Sequence, residues 1–282
     1  MFMNMKRWLA IAIIPVLAFS LAACGTDDAA KNSSVDAIKK RGKLVAGVKY
    51  DTNLFGFKDP ADGQVKGFEI DLMKELAKRM LGDEKKLELK EVTSKTRIPL
   101  LNNGDVDILA ATMTISEERK KEIDFSHVYF MAGQSLLVKK ESGINGVKDL
   151  KGKVVMGAKG STSVQNIKNL EPDIKIKEYE NYADAFTALK NGKGDALTTD
   201  DSILMGMEQQ APGQVKLVGG HFTQEPYGFG LAKGNKELTD YVNKFLEDIQ
   251  KDGTYDKLHK KWFKKDPPKN IPKDAVNKVL KK

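Results

Sequence analysis

The sequence predicts an α/β fold: two lobes facing each other across a cleft. Segments of strand character alternate with segments whose apolar residues recur at helical spacing, a pattern that builds βαβ units and mainly parallel sheets. This alternation runs twice, from about residue 43 and again from about residue 135, and neither series suffices for one large domain. Hydroxyls and charges also gather just past the strand C-termini, where open α/β sheets bind ligands.

The first series opens with VDAIKKRG, a short helix closed by Gly42, and a strand over 43–48. GFEIDLMKELAKRMLGD pairs Leu72/Met73, Leu76/Ala77 and Met80/Leu81 on one helix face and stops at Gly82. KKLELKEV alternates as a strand, and KTRIPLLNNGDVDILAATMT reads as loop, helix, Asn-Gly stop and buried strand. The second series starts at SLLVKK, and KVVMGAKGSTS is a strand meeting a Gly/Ser/Thr loop before the helix SVQNIKNLEP. IKIKEYE, NYADAFTALKNGKGD and ALTTDD continue the alternation, VKLVGG and PYGFGLAK are strands, and ELTDYVNKFLEDIQKDGTYDKLHKKWF is helical with a break near Gly253. Phe55, Phe57, Tyr129 and Tyr227 suit either the cleft or the core, while Trp262 and Phe263 suit packing.

A hydrophobic fraction of 40% allows a packed core. The net charge of +8 is spread among nearly as many acids as bases, which argues against a nucleic-acid-binding stripe. His127, His221 and His259 form no metal set, and no phosphate-cradling glycine loop occurs, so neither metal nor cofactor is expected. At the N-terminus Lys6 and Arg7 precede an apolar stretch, interrupted by Pro15, that is too short to span a membrane and ends in LAAC. LAAC resembles a bacterial lipobox, which implies cleavage before Cys24 and lipid on the only cysteine. Two or three acyl chains anchor stably where one does not. The expected organisation is a signal peptide over 1–23, a flexible leash over 24–34, one lobe from 35–130 plus 226–265, a second from 131–225, and a loosely packed Pro/Lys-rich tail over 266–282.

GFEIDLMKEL, SKTRIPLLNNGDVDILAATMTISEERKKEIDFS, VKDLKGKVV with KGSTS, GDALTTDDSIL and KDGTYDKLHKKWF together resemble family 3 solute-binding proteins of polar amino acid ABC transporters, over roughly 38–265. The resemblance implies lobes joined by crossover strands near 129–134 and 222–227, closing on a free amino acid and presenting it to a membrane permease. A monomer tethered outside the cytoplasmic membrane is implied, with the ATPase on a separate subunit.

It also implies site roles. Arg119, a planar donor that never deprotonates, and Thr114 would hold the α-carboxylate, joined from the other lobe by Ser161 and Thr162 at a helix N-terminus. Asp200 and Thr112 would take the α-ammonium, Lys49 and Arg97 would read the side chain, and Asp51 and Tyr227 would complete the pocket. Setting Lys49, Arg97 and Arg119 against Asp200 favours a second carboxylate, hence glutamate, with glutamine close behind and aspartate third. Asp51 weakens that preference if it offsets Lys49. The rival class is an enzyme on the same fold, a dehydratase or lyase, for which Asp51 is the one carboxylate placed to act as a base.

Overall fold

The structure, a computed structural model, describes residues 26–280 of the 282. Two five-stranded sheets form the centres of the lobes. In the first, Leu87–Glu91, Leu44–Val48 and Ile108–Ala110 run parallel, followed by Gly230–Ala232 and Ile123–Phe125. In the second, Lys175–Tyr179, Val154–Ala158 and Ala196–Asp200 run parallel, followed by Gln134–Lys139 and Val215–Val218. In each sheet the strand after the parallel trio is antiparallel to its neighbours, because it enters from the crossover connections rather than through a helix.

Both faces of both sheets are covered. In the first, Leu44, Ala46, Val48 and Ile108 meet one apolar cluster, while Val45 and Leu109 meet another. In the second, Leu137, Met156 and Leu197 point one way, and Leu136, Val138, Val155 and Ala196 the other. Strand side chains alternate between faces, so a strand buried on both reads as a continuous apolar run. That is why these strands stand out in the sequence. The break expected near Gly253 separates Lys236–Lys251 from Thr254–Phe263, with Gly253 left-handed at φ 79°.

The lobes are joined by Phe130–Ala132 and Thr223–Tyr227, which pair antiparallel. Their inner side rests on an aromatic cluster. Phe130 stacks on Tyr227 with centroids 5.6 Å apart, and Phe55 meets Phe130 edge-on at 5.2 Å. Phe263 packs on both Phe55 and Phe130. Phe55, Phe130 and Tyr227 therefore root the crossover strands in the first lobe's core, and Phe263 is confirmed as a packing residue.

Two expectations at the chain ends need correction. Residues Thr26–Asn32, read as leash, form a helix; Ala29 is buried, and Asn235 Nδ2 donates to the Ser33 carbonyl at 3.0 Å. Cys24 lies outside the described residues. The tail is not loosely packed either. Lys278–Val279 pairs with Thr223–Gln224 as a third strand of the crossover sheet. Upstream, the Lys273 carbonyl accepts from Val128 N at 2.8 Å and Asn277 N donates to the Ile115 carbonyl at 2.9 Å. The main-chain N–H of Leu280 donates to Phe222. The tail thus runs from the first lobe along the joint towards the second, satisfying backbone groups that composition alone does not connect. No described helix is long and apolar enough to cross a membrane.

Deleting residues 271–282 should lower the unfolding free energy by about 1–3 kcal/mol through loss of these hydrogen bonds. Urea unfolding of full-length and shortened chains is the check; coincident midpoints would show that the tail contributes nothing to stability.

Candidate functional site

The cleft is built where the strands end. After Ile108–Ala110 the backbone turns sharply at Thr112, a non-glycine residue at φ 46°. Glu69, in the first turn of the helix Phe68–Leu81, stabilises this turn: its Oε1 accepts from Thr112 N at 2.7 Å and from the Tyr129 hydroxyl. The helix can start there because Gly67 precedes it at φ 151°, and a Cβ on Gly67 would lie 1.9 Å from the Phe55 carbonyl oxygen. Arg97 steadies the same turn, donating from Nη1 to the carbonyls of Ala111 at 2.6 Å and Thr112 at 3.3 Å.

Arg119 comes from the short helix Glu117–Glu122, capped by Ser116. Its Nη1 donates to the Thr114 carbonyl at 2.9 Å, and its Nη2 crosses the cleft to the Gly160 carbonyl at 3.2 Å. The two lobes meet closely here. Gly160 is left-handed at φ 75°, and a Cβ on it would stand 2.8 Å from Lys95 Cα. Other cross-cleft contacts are Asp51 Oδ2 accepting from Tyr182 N at 2.7 Å and Asn53 Nδ2 donating to Gly206 O at 3.0 Å. A cavity of about 650 Å³ opens at the cleft mouth between Ser94, Arg119, Gly160, Ser161 and Thr162.

Ser161 occupies the N-cap position of the helix Thr162–Leu170, yet its side chain makes no capping bond, and its buried Oγ has no partner among the described residues. The hydroxyl is therefore directed elsewhere than the helix. Thr162 differs from expectation. Its Oγ1 accepts from Gln134 Nε2 at 3.0 Å and donates to Glu225 Oε2 at 3.2 Å, so only its main-chain N–H remains for a carboxylate.

Asp200 ends its strand and starts the helix Asp201–Gln210 without capping it. The Tyr227 hydroxyl donates to Oδ2, while the buried Oδ1 has no partner among the described residues. Burial and the nearby Glu225 push the Asp200 carboxyl well above the usual range. A cation at Oδ1 would restore its charge. Arg97 Nε is a third buried atom without a partner among the described residues. Glu69 Oε2 is likewise buried without a partner among the described residues, so a hydroxyl, two carboxyl oxygens and a guanidinium N–H are left open to a small polar ligand.

Lys49 is fully buried, 3.0 Å from Ser94 Oγ and 5.0 Å from the Tyr182 ring centroid. Burial lowers its pKa to about 8. Arg97 and Arg119 are also lowered by burial, Arg97 to about 9, which leaves it cationic at neutral pH. Glu69 moves the opposite way, to about 7, because burial outweighs its hydrogen bonds and the pull of Arg97 and Lys49. Asp51 does not form a direct pair with Lys49. It accepts from the Thr52 hydroxyl and the Tyr182 amide, although its field acts on Lys49. Both its oxygens thus already hold the hairpin and the opposite lobe in place, which leaves it poorly placed as a general base.

Of the residues expected at the site, Arg119, Ser161 and Thr162 line the cavity, and Lys49, Arg97, Thr112, Thr114, Asp200 and Tyr227 are buried. The sequence reading missed Glu69, Ser94, Tyr182 and Glu225. Glu69 sits inside GFEIDL, where a helix pattern masks a side chain turned inward, and Glu225 sits in an ordinary-looking strand. Among the described residues no cluster able to hold a metal occurs.

Related proteins identify the family. Residues 44–265 match the model of the bacterial extracellular solute-binding proteins, family 3. An ABC transporter glutamine-binding protein GlnH of Bacillus subtilis is 54% identical over 272 residues, covering 93% of this chain and 99% of that one. A glutamine-binding protein of Geobacillus stearothermophilus is 57% identical over 247 residues, covering 82% and 94%. A solved structure of an ancestral arginine-binding protein bound to glutamine aligns with a TM-score of 0.75 at 45% identity, over 80% of this chain and 99% of that one. The chain belongs to the bacterial extracellular solute-binding proteins of family 3, and is a binding protein working outside the cytoplasm rather than an enzyme.

Proposed function

We propose that the cleft captures free glutamine by closure of the lobes and delivers it to the permease of an ABC importer. In this reading Arg119, the Thr114 region and the Ser161–Thr162 turn hold the α-carboxylate, Asp200 with Tyr227 holds the α-ammonium, and Lys49 and Arg97 line the side-chain end. Lipid on Cys24 would keep the monomeric protein at the membrane surface.

The observation that carries the choice of glutamine is Glu69. Counting Lys49, Arg97 and Arg119 against Asp200 alone favours glutamate, but Glu69 lies among the same cations, with Asp51 and Glu225 nearby. These carboxyls offset part of the cationic charge before any ligand arrives, Glu69 only in part at neutral pH because burial raises it to about 7, and a neutral amide then suits the side-chain end as well as a second carboxylate. The two relatives above that are named for glutamine support the same reading. Glutamate, nearly isosteric, is the second choice.

Calorimetric titration of residues 25–282, freed of carried-over ligand, should give glutamine binding about tenfold or more tighter than glutamate, aspartate or arginine. Glutamate binding more tightly would mean that the buried carboxyls do not offset the cations. Arg119→Lys and Asp200→Asn should each weaken binding of every amino acid by roughly a hundredfold or more, since each leaves a buried ligand charge poorly paired. Affinity retained in either variant would remove that residue from the backbone-group cage.

Lys49 also makes a stability prediction. Between its folded value near 8 and the ordinary 10.5, the unfolded chain holds a proton that the folded chain has released. Stability therefore rises with pH across that window. Relative to Lys49→Met, the ligand-free protein should gain about 2 kcal/mol between pH 8 and pH 10. Parallel pH dependences in urea unfolding would show that the buried amine does not titrate there.

A further inference from the structure

Glu225 lies on Thr223–Tyr227, the middle strand of the crossover sheet, and it is fully buried. An isolated buried carboxyl is costly, so its partners say what it does. Thr162 Oγ1 donates to Oε2 at 3.2 Å and Asn166 Nδ2 to Oε1 at 3.4 Å. Thr162 and Asn166 are one helical turn apart at the start of Thr162–Leu170. The same two side chains meet Gln134, the first residue of the second-lobe strand that follows the other crossover: Gln134 Nε2 donates to Thr162 Oγ1 at 3.0 Å, and Asn166 Nδ2 donates to Gln134 Oε1 at 3.0 Å. Four side chains thus close a ring that ties one helix turn to the crossover strand Thr223–Tyr227 and to the start of the second-lobe strand Gln134–Lys139. From the first lobe, Arg119 and Glu225 act on each other through their charges.

The polarity of the ring favours a carboxylate accepting at both oxygens, against the burial that raises the Glu225 carboxyl above its usual range. The Thr162 hydroxyl accepts from Gln134 and donates to one Glu225 oxygen, and Asn166 presents an N–H to the other. Both carboxyl oxygens are required as acceptors, which a glutamine at this position cannot supply. The helix so fixed carries Ser161 and the first main-chain N–H groups, the second lobe's share of the proposed carboxylate cage.

We propose that Glu225 is a positioning residue for ligand capture: it locks the first turn of the 162–170 helix to the crossover strand Thr223–Tyr227 and, through the ring, to Gln134 at the start of the second lobe's strand, and so sets the second lobe's carboxylate donors opposite Arg119. The proposal deepens the reading of the cleft as an amino-acid site and rests on it for its binding arm.

Two measurements test it. Glutamine titrations of wild type, Glu225→Gln, Thr162→Val and the double variant, with thermal melts to confirm folding, should show Glu225→Gln weaker by about tenfold or more. The double variant should bind no more weakly than the weaker single one, because both break one ring. Unchanged affinity in Glu225→Gln, or losses that simply add, would overturn the coupling. The second measurement needs no ligand. Amide hydrogen exchange over residues 162–166 should be faster than wild type in Glu225→Gln and in Thr162→Val, and protection equal to wild type in both would overturn the role of Glu225. If wild type binds none of the amino acids, the ligand assignment fails while the exchange comparison still decides whether Glu225 fixes the turn.

Discussion

The structure depends on one electrostatic constraint, the burial of three cations in a single cleft. Lys49, Arg97 and Arg119 are 0%, 2% and 8% exposed. Buried charge is tolerated only when paired and hydrogen-bonded. Carbonyls and carboxyls therefore converge on the cleft from both lobes: the carbonyls of Ala111, Thr112, Thr114 and Gly160, and the acids Asp51, Glu69, Asp200 and Glu225. The left-handed turn at Thr112 follows from the same demand, since it sets those carbonyls against Arg97 while Glu69 takes up the amide.

The constraint is met incompletely, and part of the deficit lies where a ligand would sit. Arg97 Nε, Asp200 Oδ1 and Ser161 Oγ are buried with no partner among the described residues. Orphaned polar atoms inside a protein are rare and unfavourable. A zwitterion supplying an acceptor, a cation and a second acceptor would remove that penalty at both lobes together. Closure and binding then become one event, because contacts made only when the lobes meet shift the population towards the closed form. The joint itself is stiff in cross-section: its strands are backed by the Phe55, Phe130, Tyr227 and Phe263 cluster and flanked by the tail strand.

The parts legible in the sequence were those that depend on local periodicity. Runs such as VDILAA and KVVMGA are apolar throughout because both strand faces are covered, and Gly253 ends a helix wherever that helix packs. The cations and hydroxyls at strand ends could be named for a similar reason, since an α/β chain brings its strand C-termini to one edge. Their partners could not. Tyr129 reaches Glu69 across 60 positions, and Tyr182 reaches Asp51 across 131. Thr162 was expected to face the ligand, yet its hydroxyl turns to Glu225, 63 positions away.

The sequence by itself determined the two α/β series, the approximate bounds of their helices, and the cations Lys49, Arg97 and Arg119 with the acids Asp51 and Asp200. Only the tertiary structure decided which acid opposes which cation, that the N-terminal stretch forms a helix, and that the tail is a third strand at the joint. The reason is physical: helix and strand periodicity is a property of neighbouring residues, whereas charge compensation and strand pairing are properties of distance in space, which the order of strands in each sheet and the closing of one lobe on the other assign.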